Sequence, residues 1–169
     1  AVAKFCPHSH LSLQGGSDSV LSRMNRRYTS KEYREAVNTI RRTFPYAAIT
    51  TDVIVGFPEE TDQEFEQTYE FLKELKLYET HIFKYSPRNG TKAAEMPDQV
   101  DPSVKNSRSE CLIKLNEKNK KDFEDLHVGQ IVDILIETHE NGYATGHTKN
   151  YIKAGIKTQE NLSNQIIKS

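Results

Sequence analysis

The sequence predicts an α/β chain in three parts. A β-α-β-α-β unit with parallel strands covers residues 1–97, a helical connection covers 98–126, and a small antiparallel β module covers 127–169. Three observations carry this reading. Short β-rich runs alternate with segments whose apolar residues recur at helical spacing up to about residue 97. Each of the two helical segments opens on a capping box and follows a strand-like run, the order of a parallel crossover unit. After Gly129 the period changes to that of strands, and Asn141-Gly142 supplies a hairpin turn.

His8 to Gln14 reads as the first strand and breaks into Gly15-Gly16-Ser17-Asp18. A basic stretch, Arg23-Met24-Asn25-Arg26-Arg27, then leads to a helix start. In Thr29-Ser30-Lys31-Glu32 the threonine hydroxyl can cap the first turn while the glutamate reaches back. Tyr33, Ala36, Val37, Ile40 and Phe44 follow at helical spacing and are expected to face inward, and Pro45 ends the helix. Ala48 to Gly56 is a near-continuous β-branched run, as expected of a parallel strand. Thr61-Asp62-Gln63-Glu64 opens a second helix with Phe65, Tyr69, Leu72 and Leu75 inward, and Tyr78 to Ser86 forms a third strand.

Asp101-Pro102 starts a long helix, with aspartate as cap and proline at the first helical position. Its narrow stripe is Leu112, Leu115, Asn119, Phe123 and Leu126. Ile131 to Ile136 and Tyr143 to Ile156 are the strands of the terminal module.

The chain has 169 residues, 36% of them hydrophobic and 28% charged, with a formal charge of −1. No global basic field attracts nucleic acid, so any RNA contact rests on local patches. No apolar stretch is long enough to span a bilayer and no signal peptide is evident, so the expected location is cytoplasmic, with no membrane partner. Cys6 and Cys111 lie far apart, and two free thiols in a reducing compartment are expected. Without Cys-x-x-Cys or Cys-x-x-x-Cys-x-x-Cys, this sequence cannot hold an iron–sulfur cluster by itself.

Candidate site residues sit where strands end. Gly16, Ser17 and Asp18 can offer amides, a hydroxyl and a carboxylate to a ligand carrying hydroxyls, although an ordinary strand-to-helix turn uses the same residues. Arg26 has the bidentate geometry that holds a carboxylate, or stands as a solvated arginine. Asp52 inside a β-branched strand is either functional or ion-paired in the core, because burying a carboxylate alone is costly. Tyr85 and Ser86 end a strand, and Arg88 beyond them is a candidate for contact with an RNA phosphate or base. Further basic side chains, Lys92, Lys149 and Lys153, form local patches, and Tyr151 offers either a stacking face for a base or a core side chain. His8 and His10 share a strand face and His81 lies on another predicted strand. A His-x-His pair can hold a metal. The sequence shows no suitably placed carboxylate–histidine set to complete such a site, so no metal is assigned.

Five segments in order resemble one family, the radical S-adenosylmethionine methylthiotransferases. His10-Leu11-Ser12-Leu13-Gln14-x-Gly16-Ser17-Asp18 resembles the fourth barrel strand and its loop, and Arg23 to Thr29 the segment after it. Thr51-Asp52-Val53-Ile54-Val55-Gly56-Phe57-Pro58-x-Glu60-Thr61 is similar to the fifth strand, and Phe83-x-Tyr85-Ser86-Pro87-Arg88-x-Gly90-Thr91 to the sixth. Gly146-His147-Thr148-x-Asn150-Tyr151-Ile152 resembles the start of the TRAM domain, a small β-barrel that binds tRNA. Arg27 and the Asn150-Tyr151 pair favour the branch that acts on threonylcarbamoyladenosine in tRNA.

The resemblance implies the C-terminal half of a β/α, partial TIM-like radical-SAM barrel followed by a partial TRAM-like module. The N-terminal half, with its cluster cysteines, would lie elsewhere in the same enzyme, leaving this polypeptide inactive alone. The implied reaction replaces a C–H of the adenosine derivative beside the anticodon with a methylthio group. The implied cofactors are S-adenosylmethionine and two 4Fe-4S clusters, and the implied partner is the tRNA anticodon stem-loop. The implied cofactor-binding residues are Gln14, Gly16, Ser17, Asp18, Arg26, Asp52, Gly56, Tyr85 and Ser86, with Arg26 on the methionyl carboxylate. The sequence departs from the family at Gly15, usually serine, and Glu59, usually glycine. Two other classes stay open: a stand-alone RNA-binding module, and a metal-dependent barrel hydrolase using His8, His10 and His81.

Overall fold

The computed structural model describes residues 6–169. The first strand, β1 (His8–His10), is followed by α1 (Asp18–Arg23), α2 (Ser30–Thr43), β2 (Ala48–Val55), α3 (Asp62–Leu75) and β3 (Glu79–Lys84). The three strands form a parallel sheet in the order β1-β2-β3. Then come α4 (Lys92–Glu95), α5 (Pro102–Asp125), β4 (Asp133–Glu140), β5 (Tyr143–Thr148), β6 (Lys153–Lys157) and β7 (Ile166–Lys168). The last four strands form an antiparallel sheet in the order β6-β5-β4-β7.

Both capping boxes form as the sequence predicts. The Thr29 and Thr61 hydroxyls accept from the amides of Glu32 and Glu64, whose carboxylates accept from the cap amides. Asp101 caps α5 with Pro102 in its first turn, and Asn141 and Gly142 turn the β4–β5 hairpin with φ of 51° and 77°.

Several local expectations are corrected. The first strand is shorter than His8 to Gln14, because the Thr51 hydroxyl inserts into its ladder, donating to the Leu11 carbonyl and accepting from the Leu13 amide. Pairing resumes at Gln14, which bridges to Val53 with a φ of 70°. A short helix that the sequence did not suggest, α1, starts at Asp18 of the glycine turn and ends at Arg23, where the basic stretch begins. On α2 only Tyr33 and Val37 are buried, and Ala36 points to solvent. On α3, Thr68 and Phe71 join Leu72 and Leu75 inside, while Phe65 and Tyr69 are half-buried. Helix α5 buries Lys105, Arg108 and Ser109 besides Leu112, Leu115 and Asn119, whereas Leu126 is exposed. Ile131 is 82% exposed and precedes the strand rather than joining it.

The main core lies on one side of the parallel sheet. Leu13, Ile49, Val53 and Val55 meet Tyr33 and Val37 of α2, Phe71, Leu72 and Leu75 of α3, and Leu112 and Leu115 of α5. The other side carries no covering helix among the described residues. A parallel sheet ordinarily buries both faces, so the open face is the fold's most unusual feature. The antiparallel sheet has its own core of Ile134, Ile136 and Ala144. It docks at the amino-terminal ends of β2 and β3, where Ile152 packs on Ala48, Tyr78 and Phe123. There Asn150 Nδ2 donates to the Tyr46 carbonyl at 3.3 Å.

Candidate functional site

The parallel register sets the chemistry of the open face. Thr50 pairs with His10 on one side and Glu79 on the other, and Asp52 pairs with His81. Because side chains alternate, His8, His10, Thr50, Asp52, Glu79 and His81 all stand on this face. The hydrophobic Ile49, Val53 and Val55 point to the helices. His10 Nε2 lies 3.3 Å from an Asp52 carboxylate oxygen, and its Nδ1 lies 2.9 Å from the Thr50 hydroxyl. The rings of His10 and His81 stack with centroids 6.2 Å apart. This supplies the carboxylate that the sequence reading did not find: Asp52, not His8, joins His10 and His81. The parallel register that makes them neighbours is invisible in the sequence. His8 faces Tyr151 instead, and partial burial, with His10 nearby, lowers its pKa against the opposing pull of Glu79.

Toward the carboxyl ends of the strands the face opens into a groove of about 600 Å³. Gln14, Asp52, Tyr85, Ser86 and Arg88 line it, together with the apolar Ile54 and Phe83. The Tyr85 hydroxyl is shielded from solvent and has no hydrogen-bond partner among the described residues. Phe57 packs edge-on against the Tyr85 ring, and the Lys105 ammonium stands 5.3 Å from its centroid. An unpartnered hydroxyl, a carboxylate, a serine and a guanidinium around an apolar floor suit a nucleoside-like ligand bearing hydroxyls and an amino-acid group.

The remaining candidates fall outside the groove. Gly16 packs against α3, where an added Cβ would meet the Thr68 Cα at 2.7 Å. The Ser17 hydroxyl donates to the Gln67 side chain, and Asp18 accepts from the Ser30 amide at the start of α2. Gly16, Ser17 and Asp18 line a separate concavity on the helix side, shared with Arg34, Gln67 and Glu74. Gly56 adopts φ of 69° beneath Lys105, and its amide donates to Glu60. Arg26 is exposed, and its guanidinium makes no ion pair among the described residues.

The basic candidates lie at two ends of the sheet. Arg88 lines the groove and Lys92 is exposed close behind it in the chain. Lys149, Tyr151 and Lys153 sit at the junction of the two sheets, the full length of β2 away, roughly 20 Å at the strand rise. Lys149 is paired with Asp133 at 2.7 Å, whereas Lys153 is exposed. Tyr151, with φ of 67°, is 53% exposed and stacks on His147 at 4.5 Å. Ile152, not Tyr151, fills the core beside it.

Sequence reasoning missed the support under the groove. Arg108 of α5 donates to the Glu60 carboxylate and carbonyl and to Asp62. Lys105 donates to the Tyr85 carbonyl. Both cations stand in a stretch that reads as a solvated charged helix, and their only signal was position one and two turns from the Asp101 cap.

The described cysteines do not fit a cluster. Cys6 and Cys111 are exposed thiols, and the one group of three potential metal-ligating side chains among the described residues is His10, Asp52 and His81.

Comparison with known proteins gives one consistent direction. Residues 2–72 match the model of the Radical SAM superfamily. The chain is 41% identical over 170 residues to the threonylcarbamoyladenosine tRNA methylthiotransferase MtaB of Bacillus subtilis (strain 168), covering 98% of this chain and 38% of that protein. It is 43% identical to the tRNA-2-methylthio-N(6)-dimethylallyladenosine synthase of Pelotomaculum thermopropionicum over 81% of this chain and 31% of that one. It is 42% identical to the MtaB of Aquifex aeolicus, covering 88% and 35% respectively. The chain thus spans about a third of the length of the curated relatives it matches. Among solved structures, coproporphyrinogen III oxidase (HemN) from Escherichia coli, a radical SAM enzyme, shares the fold with a TM-score of 0.58 at 19% identity, over 67% of this chain and 27% of that one.

Proposed function

We propose that the chain is part of a radical S-adenosylmethionine methylthiotransferase, as its match to the Radical SAM superfamily over residues 2–72 and to tRNA methylthiotransferases over 81–98% of its length supports, and that the enzyme acts on threonylcarbamoyladenosine beside the anticodon of tRNA. The observation that carries the proposal is the open polar face of the parallel sheet, leading into a groove at the carboxyl ends of its strands. That is where barrel enzymes assemble their sites from strand ends and loops. A sheet with one bare, polar face is the shape of a barrel segment whose lumen side meets ligand and further strands.

In this reading Gln14, Asp52, Tyr85 and Ser86 contact S-adenosylmethionine, with Arg26 directed to its carboxylate. Gly16, Ser17, Asp18 and Gly56 act one step back, fixing the loops against α3 and Lys105. S-adenosylmethionine with two 4Fe-4S clusters would supply the radical and the sulfur, the clusters being held by cysteines outside these 169 residues. This chain's own contribution is to bind and orient. The antiparallel sheet is read as a TRAM-like module, and Arg88, Lys92, Lys149, Tyr151 and Lys153 as tRNA contacts. A tRNA-modifying role agrees with a cytoplasmic location, and no helix among the described residues is long and apolar enough to cross a membrane.

The choice of substrate rests on 41% identity to the Bacillus subtilis relative over 98% of this chain, against 36% and 35% to two dimethylallyladenosine synthases over 97% and 99% of it. Anticodon stem-loop RNA carrying threonylcarbamoyladenosine, incubated with the complete cluster-loaded enzyme and S-adenosylmethionine, should gain a methylthio group in place of hydrogen by mass spectrometry. Transfer only to RNA carrying isopentenyladenosine would move the chain to the other branch. Transfer to neither would overturn the proposal.

A further inference from the structure

We infer that His10, Asp52 and His81 form a divalent transition-metal site on the open face of the parallel sheet, with two imidazoles and one carboxylate as ligands. Their candidate ligand atoms all lie within 4.8 Å of one another. Tetrahedral ligation at about 2.0–2.1 Å sets ligand atoms roughly 3.3 Å apart, and the His10–Asp52 pair already has that spacing, at 3.3 Å. His10 is exposed, Asp52 half-buried and His81 exposed, so an ion can reach the site from solvent.

Two features distinguish this cluster from a chance gathering of polar side chains. The ligands are cross-strand neighbours: Asp52 is paired with His81, and Thr50, the pairing partner of His10, lies two residues before Asp52. Sites on strands are held more firmly than sites on loops. The second feature is the Thr50 hydroxyl, 2.9 Å from His10 Nδ1 and 4% exposed as a residue. In the tautomer whose Nδ1–H donates to Thr50, His10 Nε2 has its lone pair free for a metal beside the Asp52 carboxylate, with the Ser12 hydroxyl also 3.3 Å from Nε2. In the other tautomer Nε2–H donates to Asp52, and metal binding displaces that proton. An outer hydrogen bond that fixes the tautomer is how proteins orient a metal-ligating histidine. Water completes the coordination, since the described residues offer no fourth ligand in the group.

The site stands apart from any iron–sulfur cluster because it uses no cysteine. It also differs from the His8–His10–His81 set considered from the sequence, because His8 is turned to Tyr151 at 5.0 Å. It shares Asp52 with the proposed cofactor groove but does not depend on that assignment.

The test is a Co²⁺ titration of the 169-residue chain in a Cys6→Ser/Cys111→Ser background, so that neither thiol contributes. Visible d–d absorption should saturate at one equivalent and be displaced by Zn²⁺. His81→Ala and Asp52→Asn, each verified as folded by circular dichroism, should weaken binding by at least about tenfold, since even outer-shell partners are worth 10–100-fold. His8→Ala should leave it unchanged. Absence of saturable Co²⁺ absorption would overturn the inference, as would equal binding by the His81→Ala and Asp52→Asn variants. Failure would leave the methylthiotransferase reading intact, because that reading requires no metal at these residues.

Discussion

Arg108 and Glu60 form a nearly solvent-free ion pair behind the groove, with Nη1 to Oε2 at 2.7 Å and side chains 6% and 2% exposed. It ties α5 to the loop that follows β2. The Glu60 carboxylate also accepts from the Gly56 amide at 2.6 Å. Burial pushes the Glu60 carboxyl up, and the Gly56 amide and Arg108 hold it down against that. Removing one member of a buried pair leaves the other charged and unpaired. Arg108→Ala is therefore expected to destabilise the chain by about 3–5 kcal/mol. Urea unfolding should show this as a large fall in midpoint, whereas Lys73→Ala, which removes an exposed pair with Glu70, should leave the midpoint unchanged within error.

The second prediction concerns acid. Glu64 accepts from Arg23, Ser19 and the Thr61 amide, and with Arg23 contributing most its carboxyl is held down at about 2. A depressed carboxylate contributes stability that is fully present above its unfolded value, near 4.5, and is lost as pH falls toward 2. Glu64→Gln should flatten the stability profile between pH 5 and 2 by about 1–2 kcal/mol, the screened value for a network partly open to water. Thermal melts across that range check it. Identical slopes in both proteins would contradict the assignment.

The two adjacent glycines of the first loop should behave oppositely. Gly16→Ala places a Cβ 2.7 Å from the Thr68 backbone, closer than atoms tolerate, and should cost about 1–3 kcal/mol or force α3 to shift. Gly15 has only Val20 Cγ1 at 3.7 Å, and its φ is not in the left-handed region. Gly15→Ser, which restores the residue usual in the family, should change stability by less than about 0.5 kcal/mol. Denaturant midpoints of the two variants are the measurement. Glu59, the second departure, adopts φ of 66°, a conformation that explains why glycine suits that place.

The basic residues predict two separable contributions to tRNA binding. Tyr151→Ala should lower affinity by about 1–3 kcal/mol, the range for an aromatic that stacks on a base, without lowering the melting temperature, because the ring is exposed and, among the described residues, stacked on His147 and His8 alone. Lys153→Glu should weaken binding and reduce its salt dependence. Lys149→Glu is a poorer probe, since it would set a second carboxylate against Asp133. Arg88→Glu, at the other end of the sheet, should act independently of Lys153→Glu. Fluorescence anisotropy of tRNA with the complete enzyme, at several salt concentrations, decides. Strong coupling between the two positions would show that they do not form separate contacts.

Much of the fold was legible because its signals are local. Thr29 and Thr61, each three residues before a glutamate, mark helix starts through a hydrogen-bond pattern confined to four residues, and Asn141-Gly142 marks its hairpin in the same way. Less legible was anything that depends on pairing between distant segments. The Thr51 hydroxyl interrupts β1 from forty residues away, and β7 returns from the end of the chain to pair with β4. Within the site, Asp52 stood out as a carboxylate in a β-branched run. Its neighbours His10 and His81 follow only from the strand register. The groove's separation from Gly16 and Ser17 could not be read either, since it follows from their hydrogen bonds to Thr68 and Gln67 of α3, far along the chain.

The central claim, that this chain serves in methylthio transfer to tRNA, is tested most directly by the nucleosides of cells whose gene for the chain is disrupted. Total tRNA, digested and analysed by liquid chromatography and mass spectrometry, should lack the methylthio derivative of threonylcarbamoyladenosine and accumulate the unmodified form. Restoring the intact gene should return it. An unchanged methylthio-threonylcarbamoyladenosine peak, with no other methylthio nucleoside lost, would contradict the account.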